Sequence, residues 1–132
     1  MRLTKNFTLT ELTKTNTGLP NEPNCEEVGR LRELCEKVLQ PLRDLYGNPI
    51  IVNSGFRSQE VNRKVGGVPN SQHRYGESAD ISIGSVEKNR YLFNLIKEHL
   101  EFDQLIWEYG GRWIHVSYST RHKNRMQVLN IG

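Results

Sequence analysis

The sequence predicts an α+β fold, a small antiparallel sheet flanked by helices, and three patterns carry that reading. Val28, Leu31, Cys35, Val38, Leu42 and Leu45 recur at alternating steps of three and four, the spacing of a one-sided amphipathic helix. Ala79, Ile81 and Ile83 alternate with Asp80 and Ser82, as in a strand with one packed face. Gln104-Leu-Ile-Trp-Glu-Tyr109 and Arg112-Trp-Ile-His-Val-Ser-Tyr118 flank Gly110-Gly111, the pattern of a hairpin. A chain of 132 residues fits one domain spanning residues 1–132. At that length it buries roughly two thirds of its unfolded surface, so a metal is not needed for folding.

The elements follow in order. Thr8-Leu-Thr-Glu11 is a capping box opening a short helix that Leu19-Pro-Asn-Glu-Pro23 ends. Asn24 with Glu27 repeats the cap and starts the long helix, which runs to about Leu45 with a kink expected at Pro41. After the turn at Gly47-Asn-Pro49, Ile50-Ile-Val-Asn53 reads as a short strand leading into Ser54-Gly-Phe-Arg-Ser58. Ser58 caps a brief helix through Val65, and Gly66-Gly67 stops it. Residues 66–78 read as a loop before the strand Ala79-Asp-Ile-Ser-Ile83, which shows its carboxylate opposite the packed face.

Ser85 caps a helix through His99 or Leu100, with Val86, Leu92, Phe93 and Ile96 expected toward the sheet. A two-residue turn in the hairpin pairs Tyr109 with Arg112, Glu108 with Trp113 and Ile106 with His115. Glu108 and His115 then share a face, as diagonal neighbours roughly 7–8 Å apart. Met126-Gln-Val-Leu-Asn130 adds a last strand.

The net charge of +3 is spread along the chain, with a locally basic tail at Arg121-His-Lys-Asn-Arg125 that reads as solvated surface. No run is long and apolar enough to span a bilayer, and Met1–Phe7 lacks the apolar core of a secretory signal. The expectation is therefore synthesis in the cytoplasm without a signal peptide, and no membrane partner. The only two cysteines, Cys25 and Cys35, fall on one helix on the order of 15 Å apart, beyond disulfide reach. That spacing implies free thiols in a reducing compartment and argues against a Cys-His hydrolase, since Cys35 lies on the apolar stripe.

Chemistry concentrates at His73 and Asp80, seven residues apart, and at His115 in Trp113-Ile-His-Val-Ser117. Two imidazoles and a carboxylate hold a catalytic zinc while leaving a fourth position to water. On residue type alone, surface polar groups and a hydrogen-bonded histidine fit as well. A histidine-metal nuclease is disfavoured because no aromatic and basic interleaving marks a nucleic-acid groove, so no nucleic-acid partner is expected.

Ser71, His73, Gly76 and Asp80 stand at the spacing of the SxHxxGxAxD box of the zinc D,D-peptidases, with Ser78 where the box has alanine. That family includes D-alanyl-D-alanine carboxypeptidases and phage L-alanyl-D-glutamate peptidases. Ser54-Gly-Phe-Arg-Ser58 resembles its SGYRS motif, and Trp113-Ile-His-Val-Ser117 resembles the segment bearing its last ligand. The resemblance runs from about Phe7 to Tyr118 and is nearest to the small phage-type members.

It implies a fold of the D-Ala-D-Ala carboxypeptidase/Hedgehog-like type and one zinc ion held by His73, Asp80 and His115. The implied activity is hydrolysis of a peptide bond in peptidoglycan stem peptides or cross-links, by a D,D-carboxypeptidase or endopeptidase such as an endolysin. The expected partner is a peptidoglycan peptide, met at the cell wall by a monomer.

Arg57 matches the motif arginine that contacts substrate and oxyanion, and Ser71 and Gln72 are candidate substrate contacts. Better-known relatives carry an acid three positions before the final histidine, where this chain has Arg112, which cannot accept a proton. Glu108 is the expected general base in its place, ahead of Asp103. The same arginine leaves open a wall-binding module that keeps zinc but has lost catalysis.

Overall fold

The computed structural model describes residues 1–132. Arg2–Thr4 (β1) and Phe7–Thr8 (β2) make a small antiparallel hairpin that buries Leu3 and Phe7, a feature too short to leave a period in the sequence. Thr8 then caps Leu9–Thr13 (α1), and its hydroxyl and the Glu11 side chain satisfy each other's backbone N–H groups as the capping box requires. Asn24 and Glu27 do the same for Cys25–Leu34 (α2).

The long helix absorbs Pro41 in a single wide turn. Residues Cys35–Leu39 form a π-turn in which Gln40 N–H bonds to the carbonyl of Cys35, and Gln40–Tyr46 (α3) continues beyond it. Proline lacks an N–H and crowds the carbonyl four residues back, so shifting the ladder by one residue relieves the conflict. Leu31, Leu34, Cys35, Val38, Leu39 and Leu42 are fully buried, while Leu45, expected on the stripe, stands exposed at the helix end. Cys35 is sealed in this core, where burial above all pushes its thiol up to about 12, and Cys25 is exposed.

Ile51–Ser54 (β3), Ser78–Ser82 (β4), Gln104–Glu108 (β5), Trp113–Ser117 (β6) and Gln127–Ile131 (β7) form one sheet in the order β3-β4-β6-β5-β7. Four of these strands pair antiparallel as expected, but β7 runs parallel to β5, so the sheet is mixed. Strand β6 ends beside the start of β5, and the segment 118–126 crosses β5 at that end without running back along the sheet, so β7 starts where β5 starts.

Ser85 caps Val86–His99 (α6), which buries Leu92, Phe93 and Ile96, whereas Val86 in its first turn faces solvent. The core joins these residues to Ala79, Ile81, Leu105, Trp107, Ile114 and Val116 of the sheet. Helices thus cover one face of the sheet, and the alternate residues Asp80, Ile106, Glu108 and His115 point to the other. No helix is long and apolar enough to cross a membrane.

The β5–β6 register is the expected one, Ile106 opposite His115 and Glu108 opposite Trp113. The connection differs: Tyr109–Gly111 form a 3₁₀ turn, so the Tyr109–Arg112 pair does not form. Tyr109, Gly110 and Gly111 all have positive φ, and a side chain on Gly111 would meet the Trp107 ring at 2.0 Å.

Candidate metal centre

Gln59–Lys64 (α4), capped by Ser58, and the one-turn helix Gln72–Tyr75 (α5), inside what reads as plain loop, wall the open face of the sheet. Ser71 caps α5 by accepting the N–H of His73, which fixes the turn from which that imidazole projects. Gly76 ends it with φ +78, and a Cβ there would sit 2.7 Å from the carbonyl of Glu27. The glycine of the SxHxxG pattern is thus set by a left-handed cap and a close pass over α2.

His73 Nε2 lies 3.3 Å, and His115 Nδ1 3.0 Å, from Asp80 Oδ1. One donor atom from each of the three residues falls within 4.8 Å of the others. Donors about 2.1 Å from a tetrahedral ion stand roughly 3.4 Å apart, so this grouping suits zinc with little movement. Asp80 and His115 are directly opposed on β4 and β6, so the sheet register itself supplies two of the three candidate ligands.

The surroundings favour the ligand forms. His73 Nδ1 lies 2.7 Å from the carbonyl of Gly55, which directs Nε2 into the cluster. Burial pushes the His73 imidazole below its ordinary pKa despite the pull of Asp80, leaving the neutral ring a metal requires. Burial works to raise the Asp80 carboxyl, but His73 and His115 outweigh it and hold the group well below the usual carboxylate range.

Arg57 donates to the other Asp80 oxygen, Oδ2, at 3.4 Å, and also to Ser54 Oγ and Asn62 Oδ1. Burial draws its guanidinium downward in pKa, opposed by Asp80 and Glu108, and an arginine so placed still keeps its charge at neutral pH.

The three candidate ligands open on a cleft of about 640 Å³ also lined by Arg57, Ser71, Gln72, Glu108, Trp113 and Arg125. Glu108 is half-buried, and Trp113 Nε1 donates to its Oε2 at 3.2 Å, leaving Oε1 without a protein partner. Arg112 is exposed and lines a different hollow, beside Ser85 and Asn89. Asp103 is fully buried, where Arg125 engages it through both Nε and Nη2, so the carboxylate is already committed to a cation. The Gln72 amide donates to Asp103 at 2.9 Å and to Glu77 at 3.4 Å.

Sequence reading missed Gly55 as the group that orients His73 and missed the buried acid Glu77, and it weighed Asp103 as a base without seeing that it is buried beneath Arg125. Arg121 forks onto Glu77 and Arg125 onto Asp103. The basic tail therefore is not free surface but a strap pinned at two points.

The family model described as Peptidase M15 matches residues 3–117. The chain belongs to the peptidase M15 family. This M15 chain is also 40% identical over 82 residues to the zinc D-Ala-D-Ala carboxypeptidase of Streptomyces albus G, a stretch covering 61% of the chain. It spans about a third, 32%, of that relative's length.

Proposed function

We propose that this M15 chain is a zinc peptidase that hydrolyses a peptide bond in peptidoglycan stem peptides or cross-links, as a D,D-carboxypeptidase or an endopeptidase of the endolysin kind. The observation that carries the reading is the convergence of His73, Asp80 and His115 in a cleft that also holds the partly free carboxylate of Glu108. The curated relative, a zinc D-Ala-D-Ala carboxypeptidase, supports both the ion and the substrate class.

In this reading His73, Asp80 and His115 would hold one zinc ion, which when bound would supply Lewis acidity toward water and a carbonyl. Glu108 takes the proton of the attacking water and returns it to the leaving amine, the hydrogen bond from Trp113 setting the carboxylate's direction. Arg57 steadies negative charge developing on the carbonyl oxygen while its bond to Asp80 Oδ2 leaves Oδ1 facing the two histidines. Ser71 and Gln72 line the cleft as substrate contacts. The chain works at the wall as one monomeric peptidase domain of the D-Ala-D-Ala carboxypeptidase/Hedgehog-like type.

Zinc-loaded protein incubated with purified peptidoglycan should release new free amino groups. Chelator should stop the release and added zinc restore it. Pelleting with the wall without any release would instead make the chain a binding module.

A further inference from the structure

The cleft runs across the sheet, and its cations stand at opposite edges. Arg57 follows β3 at one edge, Asp80 and His115 occupy the middle strands, and Arg125 precedes β7 at the other edge. The two arginines are engaged differently. All three guanidinium nitrogens of Arg57 are bonded within the protein. In Arg125 only Nε and Nη2 are, both to the fully buried Asp103, while Nη1 makes no protein hydrogen bond and the side chain is 51% exposed. Asp103 thus fixes the plane of the guanidinium and leaves Nη1 unspent on a side chain that lines the cleft. A rigid fork with unspent donors is the arrangement that recognises a carboxylate.

We propose that Arg125 is a specificity-determining residue that grips a free carboxylate of the peptide substrate at the β7 end of the cleft. The inference rests on the peptide-hydrolase reading of the same site. With strands about 4.8 Å apart and about 3.3 Å of rise per residue, the Arg125 backbone, two strands from His115 and four residues before the β7 position level with it, lies on the order of 15 Å from that residue, several residues of extended peptide. The carboxylate it holds is therefore remote from the scissile bond, and its contribution falls on binding. Arg121 supplies the contrast: it makes the same kind of fork onto buried Glu77, but its guanidinium lies 4.1 Å over the Tyr75 ring and does not line the cleft.

The test is a double-mutant cycle on the zinc-loaded full chain. Its probes are a synthetic stem pentapeptide and versions in which each carboxylate in turn is a carboxamide. Dissociation constants come from tryptophan fluorescence on rapid mixing, before turnover. For wild type, one amidation should weaken binding about ten- to hundredfold, the range of a charge-assisted contact. Arg125→Gln should lose the same factor toward the parent peptide and become indifferent to that amidation. Arg125→Lys should retain part of the preference, and Arg121→Gln all of it, which separates a grip from general loosening of the strap; melting curves identify any variant that does not fold.

Additive effects at every carboxylate, or no saturable binding of the parent peptide, would overturn the proposal. Coupling without hydrolysis would sink the peptidase reading and leave the grip standing. Hydrolysis without coupling would do the reverse.

Discussion

The carbonyl of Gly55 lies 2.7 Å from Nδ1 of His73, and Arg57 N–H returns a bond of 2.9 Å to the carbonyl of His73. The SGFRS segment and the SxHxxG segment are therefore interlocked through their backbones. Gly55 is held there by α1, because a Cβ on it would meet the Leu12 carbonyl at 2.4 Å, and Phe56 N–H bonds to that same carbonyl at 2.7 Å. Gly55→Ala should displace the carbonyl that orients His73. Loss of such an outer partner weakens metal binding by about 10- to 100-fold. A zinc-chelator competition titration reads this directly, and unchanged affinity in a folded variant would refute the role.

Glu108→Gln removes the proposed proton acceptor but keeps the shape and the bond from Trp113. The variant should bind one equivalent of zinc with unchanged affinity and lose activity by about 10²- to 10⁴-fold. Metal analysis and amine release measured on the same preparation check both halves. Full activity would pass the base role to another group.

Metal removal should spare the fold. The apolar core lies on the helix-covered face of the sheet, away from the three ligands, so chelated protein should keep its far-ultraviolet spectrum. Zinc binds only the folded arrangement and should raise the melting temperature as its concentration rises. A chelator that unfolds the protein at room temperature would show that the site is structural.

What could be read in the sequence is what neighbouring residues decide. Both capping boxes pair side chains three residues apart, and the Glu108–Trp113 and Ile106–His115 register follows from one short connection. The metal site inherits that legibility, since Asp80 faces His115 across adjacent strands and His73 is carried on the turn just before.

Distant pairings left no such trace. Arg125 and Asp103 are 22 residues apart, and Arg121 and Glu77 are 44 apart, so neither ion pair creates a local pattern. β7 runs parallel to β5 because the strap crosses β5 at the end where β6 finishes, and no local pattern in 118–126 marks that crossing, so the sequence predicts an antiparallel sheet where the sheet is mixed. Helix α5 escaped notice because four residues in a Gly-rich stretch are too few to show a period.

Ser78 stands where related sequences place alanine, and the structure gives the substitution a measurable consequence. Its side chain is fully buried and its Oγ has no hydrogen-bond partner. A buried hydroxyl left unpaired costs about 1–3 kcal/mol, part of which returns when the group is removed. Ser78→Ala should be neutral or stabilising by up to about 1 kcal/mol with zinc binding unchanged. Denaturant unfolding checks it, and a loss of stability would reveal a partner for that hydroxyl.

Asp103 sets the acid limit that the strap imposes. Burial works to raise its pKa, but the Arg125 side chain and backbone and the Gln72 amide outweigh that and hold it down at about 2, from an ordinary 3.8. A carboxyl with a lower pKa folded than unfolded contributes its stability in full above the unfolded value, and the contribution drains away as pH falls through the folded value. The window here is about pH 4 down to pH 2. Because Arg125 is half-exposed and water screens the pair, the contribution is on the order of 1–2 kcal/mol. Asp103→Asn should therefore be less stable than wild type at pH 7, with the gap narrowing between pH 4 and pH 2. Unfolding free energies across that range decide the matter, and parallel curves for the two proteins would mean that the carboxylate carries no net electrostatic contribution.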